Sequence, residues 1–253
     1  FVEAKKLVYE DRAEYYADPD FFNVPIDYLI SREYADERRQ LIDPNLAAKT
    51  VTAGDLPLEN GDTIYLTVAD KDGNMVSLIQ SNYGDMGAGL TPPNLGFSFQ
   101  NRGQLFSLKY HHPNIYAPNK RPFHTIIPAF VTKNGDPWLS FGLMGGSMQP
   151  QGHAQIIINI VDFDMNVQEA GDAARIRHTG SSQPTDHEMV DGGKLYLESS
   201  IGQKIREDLI LKGHNVTTDT HVYGGYQAIM VDTINDIYIG GSDPRKDGQA
   251  SGY

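Results

Sequence analysis

Two tight-turn signals constrain this chain more than anything else in it. "KDGN" at 71–74 joins the β-rich runs "TIYLTVAD" and "MVSLIQS", and "KNGD" at 133–136 joins "TIIPAFVT" to "PWLSFGL". Asp-Gly and Asn-Gly pairs adopt the positive φ angles of two-residue hairpin turns. Each pair of runs is therefore expected to fold back as antiparallel strands. A second block of strand patterns, "KLYLESS", "NVTTDT", "YQAIMVDT" and "DIYIGG", closes the chain, and "LGFSFQN" alternates apolar and polar residues. Helical patterns come in separate blocks. "GGSMQPQGHAQIIINIVDF" reads as Gly-Gly, a Ser147 cap and a largely buried helix. "NVQEAGDAARI" is a shorter helix capped by Asn166, and "IGQKIREDLILKGH" is a third. Strands in hairpins with helices in blocks imply an α+β fold of antiparallel sheets covered by helices.

The first 62 residues have a different texture. Residues 2–18 read as an amphipathic helix with Ala4, Leu7, Val8 and Tyr15 toward a core. "DPDFFNVP" breaks it, and "IDYLISREYADERRQLI" is a second helix with Ser31 as an internal cap. "DPNLAAKTVTAGDLPLENGD" is linker-like, aperiodic and protease-accessible. This segment carries 7 Lys and Arg against 14 Asp and Glu, which is expected of a solvated helical surface. Phe1 enters a helical pattern with no cap, so the natural chain is expected to begin upstream of it.

The net charge of −12 argues against a nucleic-acid partner, and no run of about 18 apolar residues is available to cross a membrane. With no cysteine, disulfides, thiolate metal sites and cysteine nucleophiles are excluded, while the cellular compartment stays open.

Three patterns could carry chemistry. Thr63 follows Glu-Asn-Gly-Asp and opens a strand. By pattern alone it is more often a strand-opening residue after a turn. If the Asp62–Thr63 bond were cut, however, its own α-amine (pKa ~7.7–8.0) would serve as base for its hydroxyl. Gly145 and Gly146 precede the Ser147-capped helix, where unblocked N–H groups suit an oxyanion, although a plain strand-to-helix turn is the commoner case. His111, His112 and His124 lack carboxylates at ligand spacing, so solvated or hydrogen-bonded histidines are expected rather than a metal site. "SDPR" at 242–245 reads as a charged structural turn.

Taken together and in this order, the pieces resemble one family. "TIYLTVADKDGNMVS", "APNKRP", "GLMGGSMQPQ" and "GGSDPRKDGQASGY" are similar to the small subunit of γ-glutamyltranspeptidases. "YEDRAEYYADPDFFNVP" and "YLISREYADERRQLI" resemble the end of that family's large subunit. The resemblance covers essentially the whole chain. It implies an N-terminal-nucleophile hydrolase, a four-layer αββα sandwich with two antiparallel sheets. Residues 1–62 would be the C-terminal part of the large (α) subunit plus a processing linker, and 63–253 the small (β) catalytic subunit. It implies autocatalytic cleavage at Asp62–Thr63, attack by Thr63 on a γ-glutamyl or other acyl amide, and release of the acyl-enzyme by water or an amine. Gly145 and Gly146 would form the oxyanion hole, and Ser81 falls where the family hydrogen-bonds the nucleophile's amine. No metal or organic cofactor is implied. The implied partners are a small-molecule amide and the large subunit of the same precursor.

The substrate pocket departs from the family pattern. Ile64-Tyr65 replaces the usual Thr-His after the nucleophile, and Tyr83 stands where an Asn is usual. In the segment beginning Asn101, Arg102 and Leu105 occupy the places of a Gln and an Asp that hold a substrate ammonium, and His124-Thr125 replaces paired serines that bind a carboxylate. Tyr83, Asn101, Arg102, His124 and Thr125 are thus the candidate substrate contacts. Losing the acidic residue removes a counter-charge for an ammonium, and Arg102 favours a carboxylate. The pattern is similar to the cephalosporin-acylase-like branch, so a glutaryl-type acylase is the alternative to a glutathione-type hydrolase. A non-catalytic relative is a third reading, opposed by retention of Thr63, Ser81, Gly145 and Gly146.

Overall fold

The structure is a computed structural model that describes residues 1–51, 63–217 and 223–252. Its chain divides into two compact units, each assembled from non-contiguous segments. One unit comprises Glu59–Asn101, Thr125–Arg177 and Thr220–Tyr253; the other comprises Phe1–Leu58, Arg102–His124 and His178–Asp219.

The unit containing Thr63 is built on the two expected hairpins. β1 (Thr63–Ala69) and β2 (Met75–Ser81) pair antiparallel from Thr63↔Ser81 to Ala69↔Met75. Asp70 closes their turn by accepting the Asp72 and Asn74 N–H groups. β3 (Ala129–Lys133) and β4 (Asp136–Met144) meet at Asn134-Gly135, whose φ angles of 56° and 95° are those of a type I′ turn. The "TIIP" half of the expected strand is not in the ladder; β3 begins only after Pro128, which has no N–H to donate. "LGFSFQN" is a loop rather than a strand. Asn94, just before it, is left-handed at φ 64°, and Phe97 and Phe99 meet edge to face at the surface. β8 (Gly225–Asp232) and β9 (Ile237–Ser242) complete a four-stranded sheet in the order β3-β4-β8-β9.

In β4, residues Leu139–Leu143 are all buried, as only a strand covered on both faces can be. Leu139, Phe141 and Leu143 face α4 (Met148–Val161) and, with Val167 and Ala170 of α5 (Val167–Asp172), form the core. A fully buried leucine there contributes about 1.5–3 kcal/mol. A Cβ on Gly152 would meet Leu143 at 2.4 Å, so this glycine lets helix and sheet approach closely. The alternate β4 residues face the β1–β2 hairpin. Ser140 bonds Thr67 at 2.6 Å, and Gly142 leaves room for the Tyr65 ring. Helix, sheet and sheet thus form three layers within this unit. Asn166 caps α5 with a full capping box, as its sequence predicts, but the helix stops at Asp172, short of Ile176.

The other unit contains α1 (Val2–Tyr15), α2 (Ile26–Leu29) and α3 (Arg32–Arg39). Ser31 interrupts the expected second helix and caps α3, its Oγ accepting the Tyr34 N–H at 3.1 Å. The expected face of α1 is corrected. Ala4 and Val8 are exposed, Val8 by 57%, while Lys5, Lys6, Glu10 and Arg12 are buried with Leu7 and Tyr9. The reason is a polar seam to distant chain. Lys5 Nζ donates to Ser181 Oγ at 2.6 Å, Arg12 donates to the Ser182 carbonyl at 3.0 Å, and Glu10 accepts from the Ser182 hydroxyl. The segment is therefore not simply a solvated surface.

β5 (Ile176–Thr179), β6 (Lys194–Leu197) and β7 (Val216–Thr217) make a three-stranded sheet. Here β6 and β7 run parallel, joined through α6 (Gln203–Leu211), so the expectation of purely antiparallel sheets fails at this crossover. The remainder of "NVTTDT" lies outside the described residues.

Candidate active site

The stacking of β1 on β4 fixes where Thr63 sits. Tyr65 lies over Gly142 and Thr67 bonds Ser140, so the two strands run antiparallel across the layers. One step further along this series brings Thr63 to the level of Met144, the residue before Gly145. Side chains two apart share a strand face, so the half-buried Thr63 projects from the same face as Tyr65 and Thr67, toward β4. Its cross-strand partner is Ser81, on the β2 face that also carries Ser77, which bonds the Tyr65 hydroxyl at 2.7 Å. Cross-strand partners have Cα atoms about 4.5–5.5 Å apart, within reach of each other's side chains. Asp62, the other side of the expected cleavage point, lies outside the described residues.

β4 ends at Met144, and Gly145 and Gly146 turn the chain into α4 with φ angles of 121° and 57°. Both angles disfavour any side chain. Gly145 also packs against a second glycine, since a Cβ on it would lie 2.9 Å from Gly224 Cα. Gly145 and Gly146 accept the Met148 and Gln149 N–H groups through their carbonyls, which starts the helix. Ser147 holds the N-cap position but makes no capping bond; its Oγ accepts from Arg177 at 3.2 Å instead. Consecutive glycine N–H groups at the N-terminus of a 14-residue helix form a favourable environment for negative charge.

Beyond Ser81 the chain turns sharply. Ser81 Oγ accepts the Tyr83 N–H at 2.9 Å, and Tyr83 adopts φ 79°. Asn101 holds this turn from across the loop: its Oδ1 accepts the Gly84 N–H at 3.0 Å, and its N–H donates to the Asn82 carbonyl at 3.1 Å. Asn101 therefore supports the Ser81–Gly84 turn. Thr125 is half-buried, and two residues on, the Ile127 N–H donates to the buried Gln149 side chain in the first turn of α4. Thr63, Ser81, Tyr83, Asn101, Thr125, Gly145 and Gly146 thus all belong to one unit.

Arg102 and His124 belong to the other unit. Arg102 is buried in a 3₁₀ turn, Arg102–Leu105. Partial burial and the Arg102 charge both lower the pKa of His124 below the usual histidine value. His112 bonds the Ala13 carbonyl at 3.1 Å, and His111 sits in a left-handed turn with φ 70°. Among the described residues, no group of three or more His, Asp or Glu is arranged to hold a metal ion, and no helix is long and apolar enough to cross a membrane. A groove of about 980 Å³ runs along β1 and β9 under residues 246–252, lined by Tyr65 and Met144 but not by Thr63, Ser81, Gly145 or Gly146. Sequence reading missed Gly224, although the Gly224-Gly225 pair before a strand was a visible signal of close backbone approach.

All 253 residues match the family described as gamma-glutamyltranspeptidase. A glutathione hydrolase-like YwrD proenzyme from Bacillus subtilis is 36% identical over 257 residues, covering 99% of this chain and 46% of that protein. An acylase ACY 1 proenzyme from a Pseudomonas species is 37% identical over 227 residues, covering 90% of this chain and 38% of that protein. The crystal structure of a cephalosporin acylase from Bacillus halodurans superposes with a TM-score of 0.80 at 34% identity, covering 100% of this chain and 49% of that one. The chain thus spans less than half the length of these relatives. With the resemblance running through every segment, from α1 to the C-terminal turn, the chain belongs to the gamma-glutamyltranspeptidase family.

Proposed function

We propose that this chain is part of an autoprocessing γ-glutamyltranspeptidase-like hydrolase or acyltransferase whose nucleophile is Thr63. The observation that carries the reading is the pairing of Thr63 with Ser81 on the hairpin face packed against β4, the strand that ends at Gly145 and Gly146. Cleavage of the Asp62–Thr63 bond frees the Thr63 amine. Residues 1–62 then end a large subunit, and 63–253 form the small subunit. The relatives are themselves named proenzymes, which supports a precursor.

In turnover, the amine accepts the Thr63 hydroxyl proton as Oγ1 attacks the amide carbonyl carbon. The negative charge gathers on the carbonyl oxygen, where the Gly145 and Gly146 N–H groups stabilise it. Collapse breaks the C–N bond, and the leaving amine takes the proton from the Thr63 ammonium. Water or an acceptor amine then attacks the ester carbonyl, giving its proton to the same amine, and Thr63 is regenerated. Ser81 hydrogen-bonds the amine and keeps it directed at Oγ1.

We further infer that the complete protein is a four-layer αββα sandwich. Supporting this, Ile64, Leu66 and Val68 of β1 and Val76 and Leu78 of β2 present an exposed apolar face away from β4. Such a face is stable only under another layer. The remaining half of a family-length chain would supply it.

Two substrate classes are supported. Glutathione-type γ-glutamyl amides are the family default, in keeping with the glutathione hydrolase-like relative. Arg102, in the place of an uncharged family residue, favours a glutaryl or other dicarboxylic acyl group, in keeping with the two acylase relatives. Release of 4-nitroaniline from γ-glutamyl and glutaryl anilides separates them. The default reading expects the γ-glutamyl compound to be preferred; a clear glutaryl preference would replace it with the acylase reading. Activity retained in Thr63→Ala would remove both.

A further inference from the structure

We infer that the Ser-Asp-Pro-Arg turn at 242–245 is a positioning device for the Gly145–Gly146 turn, acting through Gly224. The inference rests on the proposal that those two glycines bind the oxyanion.

The contact between the two turns is backbone on backbone. A Cβ on Gly145 would lie 2.9 Å from Gly224 Cα, and a Cβ on Gly224, at φ 72°, would lie 2.2 Å from the Met144 carbonyl oxygen. With no side chain between them, a small shift of Gly224 passes directly to Gly145.

Gly224 is in turn anchored on both sides. Upstream, the Tyr223 carbonyl accepts from Arg175 Nη1 at 3.0 Å. Downstream, the Tyr226 N–H donates to Asp243 Oδ2 at 3.0 Å, and the Asp243 N–H donates to the Tyr226 carbonyl at 3.0 Å. The two anchors are joined to each other, because Arg175 Nη2 meets Asp243 Oδ2 at 2.6 Å with both residues buried.

Arg245 ties the assembly to α5. Its Nη1 reaches Asp243 Oδ1 at 3.1 Å and the Gly171 carbonyl at 2.8 Å, and its Nη2 reaches the Ala173 carbonyl at 3.0 Å. Arg175 and Arg245 both reach Asp243 and backbone carbonyls. A buried ion pair of this kind is a weak source of stability compared with apolar packing, but it fixes direction. What it fixes here is the four-residue segment Tyr223–Tyr226, against which Gly145 rests.

The test uses the full-length precursor with Asp243→Asn and Arg175→Lys, each checked for folding by circular dichroism and thermal unfolding. Turnover is measured per cleaved molecule on whichever anilide the unaltered enzyme hydrolyses, and the rate of Asp62–Thr63 cleavage is read on the same preparations. A loosened oxyanion turn predicts kcat lower by about 10–100-fold with KM within about twofold. Inhibition by a boronic acid analogue of the acyl group should weaken by the same factor, since its tetrahedral adduct uses the same N–H donors. If Asp243→Asn does not accumulate, Arg245→Lys, which keeps its charge and is part-exposed, carries the test with an expected ~3–10-fold loss. Folded, cleaved variants with unaltered kcat, or a kcat loss without loss of boronate affinity, would overturn the inference. Thr63→Ala separates the two levels. If it is inactive while Asp243→Asn is unaltered, only the positioning role fails; if it is active, the underlying nucleophile reading fails.

Discussion

Gly142→Ala tests the layer contact that sets the register of β1, and with it Thr63, on β4. A Cβ at this position would lie 2.3, 2.4 and 2.7 Å from three atoms of the Tyr65 ring. Carbon atoms at rest sit about 3.5–4.0 Å apart, so the ring must withdraw by more than about 1 Å. It has little freedom to do so, being buried and bonded to Ser77 at 2.7 Å. Overpacking of this kind costs about 1–3 kcal/mol, and the depth of the clash argues for the upper end. Loss of glycine's unfolded-state entropy offsets about 0.4–1 kcal/mol, leaving a net destabilisation of about 2 kcal/mol.

The functional effect follows from the same displacement. Thr63, the proposed nucleophile, lies two residues from Tyr65 on the same strand, and a shift of about 1 Å at a reacting atom can lower the rate by ~100-fold. We expect urea unfolding of the mature protein, followed by circular dichroism, to show the loss of stability, and kcat to fall at least about tenfold. Tyr65→Leu removes the outer ring atoms and should recover about 2 kcal/mol in the double variant. Unaltered stability and kcat in Gly142→Ala, or strictly additive effects in the double variant, would refute the stacking argument.

Three further outcomes are expected. Burial raises the Glu10 pKa to about 7, from 4.5. The folded state therefore favours the protonated acid, and stability present below pH ~4.5 is lost as pH rises toward 7, by an amount on the order of 1–3 kcal/mol. Glu10→Gln should flatten that slope in unfolding measured from pH 4.5 to 8. His153 is the opposite case. Burial lowers it to about 4, and its neutral Nε2 accepts the Leu143 N–H at 3.2 Å. Stability present above pH 6.5 is lost as pH falls toward 4, on the order of 2 kcal/mol, and His153→Gln should remove most of this loss. Leu143→Ala, in the core against Gly152, should cost about 2–5 kcal/mol in the same unfolding assay.

The parts of the fold that were legible in the sequence are those with local causes. Asn134-Gly135 specifies its turn by backbone conformation, Asp70 and Gly73 set the other hairpin's turn within five residues, and Ser31 and Asn166 cap the first turns of their own helices. What was not legible depends on partners far along the chain. The buried face of α1 carries Lys5, Glu10 and Arg12 because Ser181 and Ser182, more than 160 residues on, receive them. "LGFSFQN" has strand periodicity but no partner strand among the described residues, and the parallel pairing of β6 with β7 is invisible until the crossover is seen.

The candidate site divides in the same way. Thr63, Ser81, Gly145 and Gly146 stand out through the motifs that carry the family resemblance, whereas the packing of Gly145 on Gly224 emerges only from the fold. The "SDPR" turn reads in the sequence as a charged structural turn; its links to Arg175 and to the Tyr223–Tyr226 segment emerge only from the fold.

The most direct test of the account is intact mass with N-terminal sequencing of the full-length protein and of Thr63→Ala. The account predicts a fragment beginning Thr-Ile-Tyr-Leu from the unaltered protein and a single uncut chain from the variant. Hydrolase activity from an uncut chain, or cleavage at any other bond, would contradict it.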